Sequence, residues 1–149
     1  MENSLLAVFQ NKVFLSTALG WLTAQSVKII INIVKEKRFN FRWVVSTGGM
    51  PSAHSAGVVS LATAVGIQEG FDSTIFVACL IFAMVIAFDA QGVRRSTGQQ
   101  AEILNKIMDD IYWRRKIQED RLKEFIGHTP FEVFVGSAVG ILMAVLVML

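Results

Sequence analysis

The chain is predicted to be all-α: a polytopic membrane helix bundle of about four spans with a cytoplasmic amphipathic helix, residues 1–149 forming one membrane-embedded domain. Three observations predict it. Hydrophobic residues make up 53% of the sequence, and the mean hydropathy of +0.51 exceeds that of an ordinary soluble domain. The apolar residues are also blocked together: 74–88 and 133–149 carry no charge. Each run approaches the length needed to cross a hydrocarbon core of about 30 Å at about 1.5 Å per helical residue. Finally, charge is segregated, with four of the 14 Lys and Arg residues in 35–42 and eight in 94–123.

The N-terminus has Glu2 and no basic region or small-residue cleavage site, so the first apolar segment is expected to stay. Residues 13–34 form the first span, and 4–12 either lie at the interface or extend that span. Gln25, Lys28, Asn32 and Lys35 recur at spacings of three and four, giving one polar face. Ionisable groups in a span usually face the bundle interior, which makes Lys28 a candidate for the site; snorkelling to the surface is the plainer alternative. Residues 55–68, rich in Ala, Gly, Ser and Val, form a short second span suited to close helix approach. A turn at 69–73 precedes a third span, 73–88, which returns to the side of the loop at 48–54.

Hydrophilic residues 89–128 follow. Thr97 and Gln100 match a capping box, so a helix is expected to start there. Leu104, Ile107, Ile111, Leu122 and Phe125 then make it amphipathic to about residue 126, lying on headgroups or pairing with a second copy in a homodimer. Gly127 is a natural stop. Thr129-Pro130-Phe131-Glu132 restarts a helix with a capping box and a proline in its first turn, and this last span runs to Leu149. Cys79, the single cysteine, lies in an apolar run, which rules out an intramolecular disulfide or a cysteine zinc site. The basic run Arg114-Arg115-Lys116 interleaves with acids and suits a headgroup surface, so no nucleic-acid partner is expected. The turn at 69–73 carries only acids, so the positive-inside rule makes the opposite, basic end cytoplasmic: a multi-pass protein of the cell membrane with its site facing the cytoplasm.

The sequence Gly-Gly-Met-Pro-Ser-Ala-His-Ser-Ala at 48–56 has the ingredients of a phosphate cradle. Glycines allow left-handed backbone, serine caps a helix, and a new helix N-terminus attracts an anion. An ordinary loop and cap is the plainer reading. Both histidines, His54 and His128, precede or open spans on this side, and an imidazole titrates near neutrality. One could attack phosphorus or activate water while the other protonates the leaving oxygen, with Arg and Lys holding the remaining oxygens.

Lys35, six residues and Arg42, followed by Pro51-Ser52-Ala53-His54, resemble the first two signatures of the type 2 phosphatidic acid phosphatase superfamily, K-x6-R-P and P-S-G-H. With 88–95, 100–105 and 127–133 added, the chain from Lys35 onward resembles the divergent branch related to acid phosphatase and vanadium-dependent haloperoxidase. Trp43 stands in place of the first signature's proline. Aligning the third signature, S-R-x5-H-x3-D, on Arg95 puts Ala101 and Asn105 where its histidine and aspartate belong. The resemblance implies a phospholipid substrate and a phosphatase acting on phosphate monoesters or diphosphates. It implies His54 as a catalytic residue and Gly49, Ser52, Lys35, Arg42, Arg94 and Arg95 as substrate-binding residues. His128 is expected to replace the absent histidine, with Asp89 or Glu132 orienting it. Two alternatives stay open: His54 acts alone, or carboxylates such as Asp89, Glu102 and Asp109 recruit a metal, for example Mg. No cofactor is otherwise expected. An inward site favours phosphatidylglycerophosphate; an undecaprenyl diphosphate phosphatase or a non-catalytic lipid-phosphate-binding scaffold is the alternative.

Overall fold

A computed structural model describes residues 2–44, 48–112 and 128–149; the side chains of residues 2–5, 42, 93–95 and 109–112 are not described. The described residues form helices α1 (Glu2–Gln10), α2 (Lys12–Glu36), α3 (Ala53–Glu69), α4 (Thr74–Gln91), α5 (Val93–Tyr112) and α6 (Pro130–Met148), with a short 3-10 turn at Phe41–Val44 and no strand. The expected all-α membrane fold is the one observed.

Asn11 separates α1 from α2. Its side chain caps α2 by accepting from the Val13 and Phe14 N–H groups at 2.8 and 3.2 Å, so residues 4–10 belong to a separate helix. Lys37, with φ 51°, closes the other end of α2 and donates to the Ile33 carbonyl.

Helix α3 is the centre of the bundle, packed on α2, α4 and α6. Apart from Val65 its buried residues are small: Ala53, Ser55, Ala56, Gly57, Ser60, Ala62, Ala64 and Gly66. Facing them are Gly20 of α2 and Gly136 and Gly140 of α6, where an added methyl would collide with the Ser52 and Ala56 carbonyls. Backbones thus approach closely, and Ser60 Oγ donates to the Ser16 carbonyl at 2.8 Å. The large apolar side chains point the other way: Trp21, Phe82, Phe88, Phe134 and Leu146 are all exposed. Small residues inside and large apolar residues outside is the arrangement a lipid solvent favours. Helix α2, the helical run opening at Thr74 and α6 are long and apolar enough to cross a membrane. Helix α3, 17 residues long, is the shorter buried fourth member.

One expectation is corrected. Helix α5 begins at Val93 rather than at Thr97. The chain breaks from α4 at the single residue Gly92, and the Ser96 N–H already donates to the Gly92 carbonyl at 3.0 Å, placing Thr97 inside the helix with no end to cap. Gly98, Ala101 and Asn105 form its buried face, while Ile103, Leu104 and Ile107 are exposed. The expected continuation to residue 126, the basic run at 114–116 and the stop at Gly127 lie outside the described residues.

Candidate active site

The C-terminal ends of α2 and α4 and the N-terminal ends of α3 and α6 meet at one end of the bundle. The loop into α3 turns through Gly48 and Gly49, at φ 92° and 79°, a region in which a side chain would be strained, and then through a cis Met50–Pro51 bond. Upstream, Gln25 of α2 fastens the loop by donating to the Trp43 and Val44 carbonyls, both at 2.9 Å. Ser52 caps α3: its Oγ accepts from the Ser55 N–H at 3.3 Å and from Ser55 Oγ at 2.9 Å. Its N–H donates to the Glu132 carbonyl at 3.0 Å, which ties the α3 start to the first turn of α6.

His128 completes the cluster. It is 2% exposed, and its N–H donates to the Ala90 carbonyl at 3.0 Å, next to half-buried Asp89 at the end of α4. Its Nδ1 lies 3.3 Å from Glu132 Oε2. The expected capping box builds this geometry. Glu132 Oε2 accepts from the Thr129 N–H at 2.9 Å, and Thr129 Oγ1 accepts from the Glu132 N–H at 3.3 Å. One carboxylate therefore caps α6 and faces the imidazole. A neutral ring that donates from Nδ1 to this carboxylate carries its lone pair on Nε2.

Lys28 reaches the same place from α2. It is 2% exposed, so it does not snorkel, and its Cγ and Cδ pack against Gly49. Glu132 attracts its ammonium electrostatically without forming an ion pair.

The fold therefore gathers Gly49, Ser52 and His128, with Asp89 beside the Ala90 anchor. His54 takes another direction. Half-buried in the first turn of α3, it lines an apolar cavity of about 660 Å³ together with Phe14, Trp21, Leu22, Val58 and Phe82. Lys35 is exposed, seven residues beyond Lys28 on α2 and so about 10 Å farther along the axis. Arg42 lies in the 3-10 turn, and Arg94 and Arg95 lie in the first turn of α5; their side chains are outside the described set. Among the described residues no three His, Cys, Asp or Glu side chains gather as a metal-binding group. Glu102 pairs with Lys106 at 2.7 Å, and the Asp109 side chain is not described. Sequence reasoning does not single out Ser55. Its signal is a second hydroxyl three residues after a capping serine, where it meets the cap's own oxygen.

Comparison with known proteins supplies the family. The family described as Divergent PAP2 matches residues 9–143. A Bacillus subtilis (strain 168) protein, named as the uncharacterized membrane protein YuiD, is 38% identical over 149 residues, covering 93% of this chain and 94% of its own. No solved structure matches. A family match over nearly the whole bundle, cradle and capped histidine included, means that the chain belongs to the Divergent PAP2 family.

Proposed function

We propose that this protein is a membrane phosphatase that hydrolyses the phosphate monoester of a lipid, with His128 as the nucleophile. The observation that carries this reading is buried His128 paired with half-buried Glu132 at 3.3 Å, set against the Ser52–Ser55 helix start. In the proposed step, Nε2 of His128 bonds to phosphorus as the bond from phosphorus to the lipid oxygen breaks. That oxygen takes its proton from water, because His54 faces the apolar cavity rather than the His128 cluster. Glu132 balances the positive charge that forms on the ring, and Asp89 supports the α4 end that anchors the histidine backbone. Water then attacks phosphorus, the P–N bond breaks, the water proton passes to solvent, and inorganic phosphate leaves. Gly49, Ser52, Arg42, Arg94 and Arg95 hold the phosphate oxygens, Lys35 attracts the headgroup from farther out, and the apolar cavity beside His54 gives room to a hydrocarbon chain.

The basic residues at 35–42 and 94–123 support a cytoplasmic site. Such a site meets lipids made on the inner leaflet, and phosphatidylglycerophosphate is the substrate we favour. A second reading, a lipid-phosphate binder without turnover, is favoured by buried Ala101 and Asn105, which leave no histidine or carboxylate at those places on α5. Phosphate release from a panel of lipid phosphates by the purified protein in detergent separates them. Release from phosphatidylglycerophosphate supports the phosphatase, whereas binding without release from any member supports the binder.

A further inference from the structure

A lysine inside a span is costly unless something holds its charge. Lys28 is 2% exposed and forms no hydrogen bond or ion pair among the described residues. Its alkyl stem lies on Gly49 in the left-handed turn, and its ammonium interacts electrostatically with Glu132 in the first turn of α6. Two helix starts face the same loop, α3 capped by Ser52 and α6 capped by Thr129, and both present the positive ends of their dipoles. The nearby carboxylate, Glu132, is already engaged by the Thr129 N–H and His128 Nδ1. Lys28 and two helix starts thus bring positive charge to one place, an arrangement that favours an anion.

We propose that Lys28 is the phosphate-binding cation of this site, holding a phosphate monoester dianion between the 48–52 loop and the starts of α3 and α6. Lys35 stands about 10 Å farther out, too far to contact the same phosphate without leaving the helix surface. The inference rests on reading this end as a phosphate site, but it needs no turnover. It also explains why a costly lysine lies at the level of Gly49 rather than at the end of α2.

The test is the melting temperature of the purified full-length protein in detergent, with two probes in separate arms: inorganic phosphate, and a non-hydrolysable phosphonate analogue of phosphatidic acid. Wild type is expected to melt higher with probe. Lys28→Met should bind at least about tenfold more weakly. Lys28→Arg should keep most of the effect, and Lys12→Met, at the opposite end of α2, should match wild type. A response confined to the phosphonate arm assigns the site to the lipid headgroup; a response in both arms assigns it to phosphate in either form. An unaltered response in Lys28→Met, or in Lys28→Gln if the methionine variant does not fold, overturns the proposal, as does no response of wild type in either arm. Because neither probe is turned over, a failure of hydrolysis alone leaves this result readable.

Discussion

His128 is held from two directions: its backbone N–H binds α4 at Ala90, and its ring faces the carboxylate that caps α6. Glu132→Gln keeps an oxygen that can still accept from the Thr129 N–H and from Nδ1 but removes the negative charge that balances the imidazolium. The expected outcome is a fall in kcat of about 10²–10⁴-fold with little change in KM, measured as phosphate release, because the charge being balanced exists only after attack. Ser52→Ala removes the oxygen that accepts from the Ser55 N–H and hydroxyl, and should cost about 1 kcal/mol of stability in denaturant melts. The capping box at Thr129 and Glu132 could be read directly from residue order because a cap is a local device. The approach of Lys28 to Gly49 could not. It depends on how far the loop before α3 descends beside α2, a tertiary outcome in which Gln25 grips the Trp43 and Val44 carbonyls.

At the scale of elements, α3 and α6 are held by backbone proximity rather than by interlocking large side chains. Gly140→Val puts branched carbons where the Ala56 carbonyl already sits, and a loss of about 1–3 kcal/mol is expected, read as a lower melting temperature in detergent. The cavity between α2, α3 and α4 makes a separate prediction. Leu61→Trp, on its wall, should raise KM for a long-chain lipid phosphate while leaving a short-chain soluble analogue unaffected. The spans could be foreseen from charge-free runs, and the small residues of α3 from their composition. The start of α5 could not, since a Thr-x-x-Gln pattern marks a helix end only where the preceding turn fails to hydrogen-bond, and Gly92 lets it bond.

The whole molecule turns its large apolar side chains outward and keeps alanine, glycine and serine within, as suits a bundle whose solvent is hydrocarbon. The proposed cytoplasmic orientation makes a labelling prediction. With Cys79 replaced by Ala, Phe41→Cys at the site end should react with a membrane-impermeant maleimide only when the cytoplasmic face is opened. Phe71→Cys in the acidic turn should react in intact cells, and the reverse labelling pattern would turn the site outward. Both positions are exposed, at 82% and 61%. Helix order and the shared end of the two histidine-bearing segments followed from the order of apolar and basic blocks. The division of labour between the imidazoles did not, because His54 and His128 leave their helices in different directions, one toward an apolar cavity and the other into a buried polar cluster.

The most direct measurement of the central claim is phosphate release from phosphatidylglycerophosphate by His128→Asn beside wild type, with melting curves to show that both are folded. A fall of about 10³-fold or more with the fold intact is expected. A folded His128→Asn protein that turns over at the wild-type rate would contradict the account.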